Sequence, residues 1–120
     1  MAQHNITGTE GEKIAEQFLL NAQYEIVAKN FRYQKAEVDI IAKKESILVF
    51  IEVKTRTTNY FGQPYEHVTD KKQQLMAYAA NAFIAANNWK GESRFDVISI
   101  ILENNKTSVE HIPDAFYPYE

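Results

Sequence analysis

The segment "AEVDIIAKKESILVFIEVKTR", residues 36–56, decides the fold. It holds two apolar, β-branched runs on either side of a short polar turn at Lys43–Glu45, the pattern of an antiparallel hairpin. Side chains alternate along a strand. In "VFIEVKTR" (Val49–Arg56), Glu52, Lys54 and Arg56 therefore share a face with Leu48 and Phe50. Ile47, Val49, Ile51 and Val53 line the other. In the preceding run, Glu37 and Asp39 share one face, with Val38, Ile40 and Ala42 opposite. Pairing about the turn sets positions whose numbers sum to about 89–91 across from one another. Asp39 is then expected beside Glu52, and Glu37 beside Lys54.

Outward from the hairpin, Ile14, Ala15, Phe18, Leu19 and Ala22 recur at helical spacing from about Gly8 to Gln23. Thr9 with Glu12 reads as a capping box. "YEIVAKNFRY" reads as a strand. After the hairpin, "TTNYFGQPYEHVT" is a loop long enough to suspect function. A helix follows from about Asp70 to Asn88, with Asp70 and Gln73 as its cap signal and an apolar stripe of Leu75, Met76, Ala79, Ala82, Phe83 and Ala86. "SRFDVISIILE" and "TSVEHI" read as strands around an "NN" turn. The order αβββαββ implies a single α+β (mixed α/β) domain over residues 1–120, helices flanking a central mixed sheet, with residues 1–7 a disordered terminus.

The 120-residue chain has no cysteine, which excludes disulfide scaffolds, thiolate nucleophiles and cysteine-bound zinc. It has no apolar run of the roughly 18 residues a membrane span needs, so a cytoplasmic protein is expected. The net charge is −3, an argument against nucleic acid, but residues 29–72 carry nine basic and six acidic side chains. That segment is cationic, and more so toward a phosphate backbone if its acids hold a divalent ion.

Carboxylates brought within a few ångströms of each other repel and resist ionisation. A hard divalent cation removes the conflict; Mg²⁺ (or Mn²⁺) takes oxygen ligands and keeps waters. A lysine alongside orients an attacking water and stabilises charge on phosphate. Asp39, Glu52 and Lys54 at one end of a hairpin thus carry the requirements of phosphodiester hydrolysis. The competing reading is a solvated strand end with cross-strand salt bridges.

The quoted segments resemble a known family. "GEKIAEQFL" (11–19), "NFRYQKAEVDIIA" (30–42), "VFIEVKTR" (49–56), "FGQP" (61–64), "RFDVISI" (94–100) and "HIPDAF" (111–116) look like the YraN-type bacterial family. That family is similar to the PD-(D/E)XK nuclease superfamily, with its restriction-endonuclease-like fold, and especially to archaeal Holliday-junction resolvases. One departure is Ala36, where the family usually has glycine. The resemblance implies that Asp39 and Glu52 bind metal, that Lys54 is the superfamily's lysine, and that Glu12 adds a third carboxylate. Glu37 is either a ligand through water or a partner of Lys54. A Gln-x-x-x-Tyr element, Gln74 and Tyr78, resembles a helix that faces the site in some nucleases; a solvated helix face is the simpler reading. Arg56, Lys71 and Lys72 are expected to meet phosphates. A homodimer is expected only by analogy with the resolvases.

The implied function is Mg²⁺-dependent endonucleolytic cleavage of DNA, with branched or junction DNA as the resolvase-like substrate. Two alternatives stand beside it: a nucleic-acid-binding module with little turnover, and a protein-interaction domain using its aromatic loop (Asn59, Tyr60, Phe61, Gln63, Tyr65) and tail (Phe116–Tyr119). Those loop aromatics can stack on bases or pack the loop down. His4, His67 and His111 lack ligand spacing and read as structural or surface groups. Trp89 reads as core or dimer surface, and Arg94 with Asp96 as a structural ion pair.

Overall fold

The computed structural model describes residues 8–56, 68–103 and 105–118. The loop with Asn59, Tyr60, Phe61, Gln63 and Tyr65, together with His4, His67, Tyr119 and residues 1–7, lies outside them. The elements run α1 (Gly8–Asn21), β1 (Glu25–Tyr33), β2 (Ala36–Lys44), β3 (Ile47–Arg56), α2 (Asp70–Asn87), β4 (Glu92–Glu103) and β5 (Lys106–Phe116). This is the expected αβββαββ order. The strands form one five-stranded sheet in the order β1-β2-β3-β4-β5. Among the described residues only β3 and β4 run parallel, joined through α2; the other neighbours are antiparallel.

Alternation along β3 builds two cores. Leu48 and Phe50 pack with Met76, Ala79, Ala80 and Phe83 of α2. Val49 and Ile51 pack with Ala15 and Leu19 of α1. The helices therefore cover opposite faces of the sheet. No helix among the described residues is long and apolar enough to cross a membrane.

The β2–β3 register sums to 91, from Lys44↔Ile47 to Ile40↔Ile51. The turn is tighter than Lys43–Glu45, since Lys44 is still paired and Glu45 turns at φ 57°. Strict alternation fails further along β2. Val38 joins the α2 core with Ile41, whereas Ile40 and Ala42 join the α1 core. The chain thus changes parity around Asp39, at the point where pairing with β3 stops.

Both helices start where the sequence reading puts them, at Gly8 and Asp70, but their caps differ from it. Helix α1 begins at Gly8, so Thr9 lies inside its first turn. The N-cap of α2 is Thr69, whose Oγ1 accepts from the Lys72 N–H at 3.1 Å. Gln73 does not close a box on Asp70; its side-chain amide donates to the Val68 carbonyl.

Candidate functional site

Asp39 ends the β2–β3 ladder with its side chain. Beyond Ile40↔Ile51 the Val53 N–H donates to Asp39 Oδ2 at 2.8 Å instead of to a backbone carbonyl. The β2–β3 ladder ends there, and this hydrogen bond fixes the carboxylate at its end. Glu52, one residue before Val53 on the α2 side, is buried at 6% exposure. The Asp39 and Glu52 carboxyls are near enough for each to act on the other's ionisation.

Glu12 arrives from α1, beside the side chains of Asn30 and Asp39. Two local features place it there. Gly11 lets the helix approach β3 so closely that an added Cβ would collide with the Thr55 side chain. Asn30, with φ 53°, turns β1 in the left-handed region that Asn tolerates better than most residues. Glu12 is thus positioned by tertiary contacts and not by a capping box. Gly11→Ala is expected to cost about 1–3 kcal/mol, as overpacking does. It should also displace Glu12. Thermal melts with and without Mg²⁺ check this: the variant should melt lower and show a smaller metal-induced shift than the native chain.

Burial raises the pKa of all three acids, and the Asp39 charge adds to it at Glu12 and Glu52. Burial, then the Asp39 charge, pushes Glu52 up to about 7 against an ordinary 4.5. Burial is also the main cause for Asp39, which the Val53 N–H and Lys72 only partly offset. Burial and then Asp39 raise Glu12. Glu37 adds negative charge near both Asp39 and Glu12. Its own ion pair is with Arg32 at 3.7 Å, not with Lys54.

The cations divide by reach. Lys72 Nζ stands 3.5 Å from Glu52 Oε1. That oxygen is buried and accepts no hydrogen bond among the described residues. Lys54, half-buried two residues along β3, adds a smaller favourable field at Glu52. Arg56 reaches across to β4, where its Nη2 donates to Ser99 Oγ at 3.2 Å. Lys71 and Gln74 are exposed, and Tyr78 is 49% exposed. The Tyr78 hydroxyl donates to Gln34 Oε1 and its ring meets Tyr33 edge-on. The structure thus brings Asp39, Glu52, Glu12, Lys54 and Lys72 together and leaves Gln74 and Tyr78 on the outer helix surface. Composition gave no signal for Asn30; the glycine before Glu12 was the available hint of a close helix–strand contact.

Among the described residues, no three acidic or histidine side chains already surround one point as a metal cage. Mg²⁺ does not require one, because it commonly binds through one or two carboxylates plus waters and substrate phosphate. The donor set fits such an ion: two hard carboxylates side by side, both resisting ionisation, and a buried Glu52 oxygen without a hydrogen bond.

A family model described as "Uncharacterised protein family UPF0102" matches residues 11–100. A UPF0102 protein of Christiangramia forsetii is 46% identical over 117 residues, covering 98% of each chain. One of Flavobacterium psychrophilum is 44% identical over 119 residues, covering 99% of this chain and 100% of its own. One of Caldanaerobacter subterraneus subsp. tengcongensis is 43% identical over 113 residues, covering 91% and 93%.

Proposed function

The chain belongs to the uncharacterised family UPF0102, a membership that carries no activity with it, and from the geometry of its site we propose a divalent-metal-dependent endonuclease of PD-(D/E)XK type acting on DNA. The resolvase likeness makes branched DNA the first substrate to try. One observation carries the reading: Asp39 and Glu52 are held near each other at the end of the β2–β3 ladder, both with raised pKa. Buried carboxyls that repel each other cost stability, and a cation between them removes that cost.

Mg²⁺ or Mn²⁺ held by Asp39 and Glu52, with Glu12 at its side, would supply Lewis-acid polarisation of a phosphate and a more acidic water. The remaining work falls to the chain. Val53 N–H fixes the Asp39 carboxylate, and the paired strand below fixes Glu52. Lys54, on the Glu52 face of β3, is placed to orient the water and to stabilise the negative charge that grows on the phosphate. In the reaction the water oxygen bonds to phosphorus and a bridging P–O bond breaks. The departing sugar oxygen takes up a proton as the water loses one. Arg56, Lys71 and Lys72 offer positive charge to the DNA backbone, so binding should weaken steeply with salt.

The test is cleavage of linear, flapped and four-way DNA by the full chain with Mg²⁺ or Mn²⁺. The native chain should cut and Lys54→Ala should not. Activity undiminished in Lys54→Ala would remove the proposed role of the lysine. A second reading, a DNA-binding module with little turnover, draws on the Lys72–Glu52 ion pair, which partly neutralises the acids without any metal. It predicts salt-sensitive DNA binding with no product under either ion.

A further inference from the structure

Lys72 reads in sequence as one more phosphate contact, yet in the fold its ammonium turns inward to the acids. We infer that Lys72 is the resident counter-cation of the Asp39–Glu52 pair, displaced when a divalent ion binds and thereby freed to meet the substrate phosphate. The inference rests on the metal-site reading and adds an exchange to it.

Several observations support it. Lys72 Nζ faces Glu52 Oε1 at 3.5 Å, a loose contact next to the roughly 2.0–2.1 Å of a Mg²⁺–oxygen bond. The acceptor is the buried oxygen that no hydrogen bond satisfies, so a shorter bond to an ion has little to displace except the ammonium. The lysine occupies the first turn of α2, where the helix dipole disfavours a cation. The Thr69 cap on its own N–H fixes that turn against the acids. Its side chain is 33% exposed against 8% for Glu52, so the ammonium has the wider path to solvent. Lys54 shares the field at Glu52 but Lys72 dominates it, and Lys72 also acts on Asp39.

The experiment uses the full chain without DNA. Calorimetric titration with Mn²⁺ compares the native protein with Lys72→Met, Lys72→Arg and Lys71→Met. Removing a positive charge a few ångströms from the ion should tighten Mn²⁺ binding by about tenfold in Lys72→Met. Lys72→Arg should stay near native, and so should Lys71→Met at its exposed neighbour. A second readout needs no variant: acetylation of each lysine followed by mass spectrometry, with and without saturating Mg²⁺. Lys72 should become several-fold more reactive with the ion while Lys71 does not change. Equal Mn²⁺ affinity in native and Lys72→Met proteins, or Lys72 labelling indifferent to Mg²⁺, overturns the exchange and leaves the metal site standing. Absence of Mn²⁺ binding in both proteins removes the metal site and the exchange with it.

Discussion

Asp39→Asn is expected to raise the melting temperature of the chelator-treated protein while lowering Mg²⁺-dependent DNA cleavage by more than the roughly 10–100-fold that loss of an outer-shell metal partner costs. The two effects have one cause. Asp39 stands between Glu12 and Glu52, and its charge is a principal reason, after burial, that both resist ionisation. An asparagine keeps an oxygen for the Val53 N–H and so keeps the strand end. It removes the repelling charge, and with it a proposed metal ligand. The pH dependence follows with a definite sign. Glu52 has its folded pKa near 7, above its ordinary 4.5. The protonated form is therefore favoured by folding, and the gain is complete below about pH 4.5 and lost as pH rises through about 7. A shift of that size corresponds to roughly 3 kcal/mol, shared with Asp39. Without metal the native protein should lose melting temperature between pH 5 and 8, and Asp39→Asn should flatten that slope. With Mg²⁺ the metal-induced rise should grow over the same range, because the ion binds ionised ligands. Melting curves in chelator and in Mg²⁺ at several pH values measure both. An Asp39→Asn protein that melts no higher and still cuts DNA would sink the account.

The hairpin was legible because two local signals agree. Alternating apolar residues and a short polar turn leave only a narrow choice of register, and 91 lies within it. The sequence could not show that Asp39 would use its side chain to end the ladder and shift the parity of β2, since alternation is a rule about uninterrupted strands. Helix α2 teaches a related lesson. Its buried residues are Met76, Ala79, Ala80 and Phe83; Leu75 and Ala82 are half-buried and Ala86 exposed. Alanine fits a core or a surface, so an alanine-rich helix specifies its rotation weakly. That small rotation puts Lys72 toward the acids and Gln74 away from them. Thr69 and Asp70 are both good caps; burial of Val68 just before them fixes the chain so that Thr69 takes the position. Glu12 was placed by resemblance alone, because its neighbours Asn30 and Asp39 are distant in sequence.

Asp96→Ala should be the most destabilising single change in the described chain, at about 3–5 kcal/mol, the usual consequence of removing one partner from a buried ion pair. That is a large part of the roughly 5–15 kcal/mol a domain has. The sequence suggested a simple pair with Arg94, and the structure shows a hub. Asp96 is fully buried and accepts from Arg94 Nε at 3.0 Å and Nη2 at 3.2 Å, His111 Nε2 at 2.7 Å and the Asp114 N–H at 2.9 Å. Arg94 also donates to the Tyr24 hydroxyl, and the His111 ring meets Phe18 and Tyr24 edge-on. The register of β4 and β5 breaks between Phe95 and Val97, and Asp114 turns at φ 56°. The carboxylate therefore takes the backbone donor that the irregular ladder leaves over, much as Asp39 does for Val53. Burial alone would raise the Asp96 pKa, but its donors outweigh that and hold the carboxyl below the ordinary carboxylate value. A depressed folded value contributes stability above the ordinary 3.8, lost as acid takes the pH down through the folded pKa. Asp96 and Glu52 thus tilt stability in opposite directions: Asp96 fails in acid, Glu52 toward neutrality. Asp96→Asn should flatten the acid limb of the melting profile, and Asp96→Ala should lower the whole curve. Because the hub is formed with the α1-side residues Tyr24 and Phe18, away from α2 and Lys72, either variant that stays folded at low temperature should bind Mn²⁺ with nearly native affinity. Loss of Mn²⁺ binding in a folded Asp96→Asn protein would show that the two polar clusters are coupled through the sheet.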